Sequence, residues 1–193
     1  TPDHPFGHGR ERYFWSFVVA LVLFFVGAAF AIYEGIEKVR HPHEIDGAGV
    51  AAVILVAGIL LESWSLRTAV VEARPYRGNQ SWWQFVLRSR NPELPVVLLE
   101  DVGAMAGLVL ALAAIGLAEV TGEPRWDGVG TISIGLLLGS IAIVLAREMH
   151  SLLIGESADE ANLVAISSAV SSASGVLELV HLRTQHLGPE QIL

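Results

Sequence analysis

Glu100 and Asp101 stand side by side in a run from Leu94 to Ala118 that holds no other charge. An aspartate at a bilayer centre costs about 2.5–3.5 kcal/mol on the insertion scale, so such a pair is expensive unless something repays it. The functional reading is a cation or proton site. The structural one is a carboxylate hydrogen-bonded across helices or paired to an arginine. No basic residue lies within the other apolar runs to serve as that partner, which favours function. Two oxygen donors suit a hard or borderline divalent cation.

Helical spacing separates the two residues. Glu100 shares a stripe with the small residues Gly103, Ala104, Gly107, Ala111 and Ala114, whereas Asp101 lines up with Ala104, Met105, Leu108 and Leu112. Small residues let helices approach closely, so the Glu100 stripe is expected to be the packing face. Asp101, displaced by about 100°, is expected to border a cavity beside it. Glu62, in the string ESWSLR, reads as an interfacial residue near Arg67. Loss of charge should therefore matter in the order Asp101, Glu100, Glu62. His4 and His8 bracket a glycine, His41 and His43 a proline, and His181 and His186 lie in the tail. Such loop histidines are more often solvated than ligating.

Four apolar runs must carry these groups. The chain of 193 residues is 52% hydrophobic and only 17% charged, with its apolar residues in blocks instead of interspersed. About 20 residues at 1.5 Å each cross a hydrocarbon core of about 30 Å. Spans are read at about 13–35, 47–67, 94–118 and 128–147, making an all-α polytopic membrane protein with a transmembrane domain over 1–150. Arg10, Arg12, Arg67, Arg74, Arg77, Arg88, Arg90 and Arg147 crowd one side of these spans, against Lys38, Arg40 and Arg125 on the other. That excess puts the first loop, the middle loop and the C-terminal tail in the cytoplasm. Trp82, Trp83 and Phe85 among the middle-loop arginines suit a segment at headgroup level. Gly103/Gly107 and Gly135/Gly139 are two GxxxG spacings, weak signals of helix packing.

Beyond Arg147 the pattern changes. Ser157 and Glu160 have capping-box spacing, Leu163, Ile166 and Val170 recur at helical intervals, and Gly175 is placed to stop that helix. Residues 176–186 read as a strand. Residues 151–193 therefore look like the start of a soluble α/β domain. One strand cannot satisfy its own backbone, and the chain opens without Met, so it is expected to continue at both ends. The absence of cysteine rules out disulfides and thiolate metal sites within these residues. The net charge of −8 carries no basic patch for nucleic acid. No Ser/His pair, HExxH or paired nucleophile points to an enzyme. The Ala-, Gly- and Arg-rich usage, with one lysine, fits a bacterial inner membrane.

HPFGHGR (His4 to Arg10), directly before an apolar span, resembles the loop after the second helix of cation diffusion facilitators. YEGIEKVRHP (Tyr33 to Pro42) looks like the end of that family's third helix, and ESWSLR (Glu62 to Arg67) like the end of its fourth. WDGVGTISIGLLLG (Trp126 to Gly139), followed by ARE and LLIGESA, looks like its sixth helix and the entry to its cytoplasmic domain. The resemblance covers the chain in order and implies helices three to six of a six-helix cation-efflux fold. It implies a proton-coupled exporter of divalent metals, zinc above all, that works as a homodimer by alternating access and has no resident cofactor. On this resemblance Asp101 matches the aspartate of the family's fifth-helix His-x-x-x-Asp, and Val97 stands at the histidine. The text LLED, with Glu100, looks like a separate branch. An oxygen-richer site shifts preference toward manganese, iron or cobalt, since zinc favours histidine nitrogen. The missing histidine also leaves open a non-transporting membrane partner that keeps the fold.

Overall fold

A computed structural model describes residues 7–43, 47–89, 93–188 and 191–193. The first span is not one regular helix. It comprises α1 (Glu11–Val19), a π-helical stretch (Ala20–Val26) and α2 (Gly27–Arg40). Then follow α3 (Ala48–Arg77), the short α4 (Trp82–Arg88), α5 (Glu93–Thr121), α6 (Arg125–Ile154) and α7 (Glu160–Ser171). Four helices are long and apolar enough to cross a membrane: Tyr13–Arg40, Ala48–Arg77, Glu93–Thr121 and Arg125–Ile154.

Each helix runs past the end expected for its span because a helix continues while its backbone bonds are satisfied, whatever the side chains. The second shows this best. Expected to end near 67, it runs through Pro75 to Arg77, so Arg67, Arg74 and Arg77 sit on a helix and not in a loop. Proline removes one N–H bond and disturbs the carbonyl one turn back, and at position 75 only two residues of the helix follow it. At 1.5 Å per residue α3 is about 45 Å long and outreaches the hydrocarbon core.

α6 is the hub. It packs against α1, the π-helical stretch, α2 and α5, while α3 packs on the other side of α5. Phe24 of the π-helical stretch meets Val96 of α5 and Ile141, Ala142 and Leu145 of α6 in one buried cluster. The α2–α6 contact is closest of all. An added Cβ at Gly35 would lie 2.9 Å from the Gly128 carbonyl, and one at Gly135 would lie 2.9 Å from the Ile32 nitrogen. Backbone meets backbone there. Lys38 ties the same two helices at their far end, 3.1 Å from Glu34 and 3.1 Å from Asp127.

α4 begins with a capping box, Ser81 and Gln84 each accepting from the other's backbone N–H. Arg77 stacks on Trp82 at 4.8 Å. Phe85 and Val86 are buried, Val86 packing with Ala69 and Leu98. The headgroup expectation thus suits the exposed Trp83 but not Phe85, because the amphipathic turn directs Phe85 inward.

The tail corrects three expectations. Asp159, not Ser157, caps α7, its carboxylate accepting from the Asn162 N–H at 2.7 Å. The helix closes at Ser171, ahead of Gly175, which takes φ 90° in the following turn. Residues 176–185 are irregular, and the strands are β1 (His186–Gly188) and β2 (Gln191–Ile192), paired antiparallel. Residues 176–180, apolar but for Glu178, pair with no strand among the described residues, and Leu177 is fully exposed; hydrogen bonding, not side-chain type, decides where a strand forms. Gln185 Nε2 donates to the Ile154 carbonyl at 2.9 Å and pins the tail to the end of α6.

His43 precedes α3 and Asn79 follows it, so they lie at opposite ends of one span. Single cysteines at these positions, in a chain with no native cysteine, are expected to react with impermeant maleimide from opposite sides of the membrane. Labelling of both from one side would overturn the four-span arrangement.

Candidate functional site

α3 and α5 run antiparallel in a register that can be followed residue by residue. Gly58 faces Leu108, where an added Cβ would sit 3.3 Å from the leucine Cδ2. Ser65 faces Asp101, its Oγ 3.3 Å from each carboxylate oxygen. Ala69 and Leu98 share one buried cluster with Val86 of α4. Gly58, Glu62, Ser65 and Ala69 recur at intervals of three to four, which is one face of a helix.

Asp101 is 8% exposed and lies two turns inside α5. The sequence placed it beside a cavity; the structure places it in the α3–α5 contact. The group hydrogen-bonded to it is the hydroxyl of Ser65, and the nearest described ionisable neighbour is the carboxyl of Glu62, one turn earlier on the same face of α3. Neither carries positive charge. Glu62 is half-buried on the face of α3 that carries Ser65.

Glu100 is exposed, as is Val97 one turn before it. The small-residue stripe does pack, but its first member stands outside the contact. An added Cβ at Gly103 would lie 2.6 Å from Ile141 Cδ1 of α6, one at Gly107 3.9 Å from Ile134, and one at Gly130 of α6 2.3 Å from the Ala114 Cβ. Ala104 of the same stripe is exposed. So α5 offers α6 one face and α3 another, with Asp101 on the α3 face and Glu100 open.

Local carboxylates hold two of the histidines. His8 Nδ1 is 2.6 Å from Glu11, and His41 Nδ1 is 2.8 Å from Glu37. His43 and His181 are exposed, and His4 lies outside the described residues. His186 is buried, its Nδ1 3.3 Å from the Gly188 carbonyl. Among the described residues no three His, Cys, Asp or Glu side chains converge to hold a metal. Ser65 is the member that sequence reading passed over. Its signal was present in ESWSLR, where it follows Glu62 by three residues and so shares its face.

Residues 1–154 match the cation efflux transmembrane domain family. The chain is 31% identical over 196 residues to the proton-coupled zinc antiporter SLC30A9, mitochondrial, of Xenopus laevis, covering 100% of this chain and 35% of that protein. The Homo sapiens protein of the same name is 29% identical over 189 residues, covering 97% of this chain and 33% of its own length. Metal tolerance protein C4 of Arabidopsis thaliana is 28% identical over 193 residues, covering 98% of this chain and 42% of its own. The chain thus spans about a third of the length of the first of these relatives.

Proposed function

We propose, because the chain belongs to the cation efflux family, that it forms the core of a secondary transporter exporting divalent metal cations in exchange for protons. It acts by alternating access, as a homodimer, and performs no catalysis. The observation that carries this reading is Asp101: a carboxylate 8% exposed within a membrane-spanning helix, held by a hydroxyl, with no cationic side chain paired to it among the described residues. Burial of such a group is costly, and a divalent cation or a proton repays it alternately. Exchange of the two at one carboxylate is the coupling an antiporter needs.

Zinc is the proposed cargo, supported by relatives whose names specify zinc and proton coupling. Valine at position 97 leaves the local donors oxygen-rich, so manganese, iron and cobalt are the competitors to test. Asp101 is the first ligand and Glu100, opening on the adjacent face, the second. Residues 1–150 form the transmembrane domain and 151–193 begin a cytoplasmic α/β domain. The residue usage favours a bacterial inner membrane with the Arg77 end cytoplasmic, whereas the names of the vertebrate relatives specify mitochondria.

Reconstituted full-length protein is expected to move zinc across a liposome membrane when a pH gradient is imposed, and to stop when a protonophore collapses it. Zinc flux indifferent to the gradient would remove proton coupling. No flux of zinc, manganese or cobalt would favour the non-transporting partner that Val97 suggests. In the same assay Glu100→Gln is expected to weaken transport more than Glu62→Gln, because Glu100 is the proposed second ligand and Glu62 is not one. Equal flux in the two variants would remove Glu100 from the site.

A further inference from the structure

Hydroxyls inside membrane helices usually satisfy themselves on the carbonyl one turn back. Ser63 donates to the Ile59 carbonyl at 2.6 Å and Thr68 to the Trp64 carbonyl at 3.1 Å, both on α3. Thr131, Ser133 and Ser140 do the same on α6. Ser65, between the first two on the same helix, reaches across to α5 and places its Oγ 3.3 Å from both oxygens of Asp101.

A hydroxyl equidistant from two carboxylate oxygens shares one proton between them and fixes the plane of the group. A single shared proton does not use up the lone pairs of the two oxygens, which can still accept a cation. Ser65 itself lies open at the rim of the contact while Asp101 is buried, so the serine stands between the carboxylate and the open side. Neighbouring features hold it there. Gly58 and Ala69, small residues on the same face of α3, let that helix approach α5 closely on either side of the pair.

We propose that Ser65 is a positioning residue for the metal site: its hydroxyl orients the Asp101 carboxylate toward the cation and sets the affinity of the site. This rests on the reading of Asp101 as a metal ligand. Partners of this kind, one bond removed from a metal, typically change metal affinity by about 10–100-fold when lost.

Threonine and valine at position 65 have nearly the same shape and differ by the hydroxyl, so the comparison isolates the hydrogen bond from packing. In full-length protein in proteoliposomes, Ser65→Thr is expected to keep an apparent KM for zinc close to that of the natural protein. Ser65→Val is expected to raise it about tenfold, with the maximal rate and the unfolding temperature unchanged. The same pair measured for zinc binding by titration calorimetry in detergent should show the same separation in Kd. Indistinguishable KM and Kd values for the two variants would overturn the proposal, as would a Val variant whose maximal rate and unfolding temperature fall while KM stays constant. If the natural protein binds zinc but does not transport it, the transport reading fails, and the calorimetric comparison still decides the role of Ser65.

Discussion

Asp101→Asn is expected to abolish zinc transport by the full-length protein in proteoliposomes while leaving expression and detergent-phase monodispersity intact. Asparagine keeps the volume of aspartate and can still accept from Ser65 through its amide oxygen. What it loses is the charge that binds a divalent cation and the site that takes up a proton. The substitution also relieves the burial of a carboxylate that has no described cationic neighbour, so the folded protein should be at least as stable as before. Loss of activity with retained or raised unfolding temperature is therefore the expected signature. A protein that falls apart on Asp101→Asn would show that the carboxylate holds helices together. Normal transport by a well-folded variant would move the metal site away from α5.

The second large effect is expected at the α2–α6 contact. Gly128→Ala places a Cβ 2.8 Å from the Val39 nitrogen and 2.9 Å from the Gly35 carbonyl, and Gly135→Ala places one 2.9 Å from the Ile32 nitrogen and 3.1 Å from the Ala28 carbonyl. These neighbours are backbone atoms and cannot rotate away, so the helices must part. Overpacking of a tight contact costs about 1–3 kcal/mol. Against this stands the intrinsic gain of about 1 kcal/mol when glycine becomes alanine within a helix. Gly139→Ala supplies the control, because its Cβ would meet only the Ala28 Cβ, at an ordinary 3.7 Å. Thermal unfolding in detergent should place Gly128→Ala and Gly135→Ala below the natural protein, and Gly139→Ala level with it or above. If all three unfold alike, the close approach of α2 to α6 does not support the fold.

Much of this protein was legible in its residues. The bilayer tolerates few charges and no unsatisfied backbone, so apolar runs of sufficient length declare themselves as helices, and four did. A carboxylate inside such a run is conspicuous for the same reason, which is how Asp101 and Glu100 emerged without a structure. The resemblance to cation diffusion facilitators, carried by strings such as HPFGHGR and ESWSLR, agrees with the family match over residues 1–154.

Tertiary structure decided which face of each helix meets which neighbour. Periodicity says that Glu100 and Asp101 point about 100° apart, but not which of them faces α3. The register of α3 on α5 answers that: it buries Asp101 against Ser65 and leaves Glu100 open. Of the two GxxxG spacings, only the first glycine of each makes a tight contact, Gly103 with Ile141 and Gly135 with Ile32, because contact depends on the partner's position and not on the spacing. The strand expected over 176–186 is irregular through 185 for a related reason. A membrane helix satisfies its backbone by itself, so local composition predicts it. A strand, a helix–helix register and a hydroxyl's choice between its own carbonyl and a carboxylate on another helix all require a partner distant in sequence, and no local pattern names one.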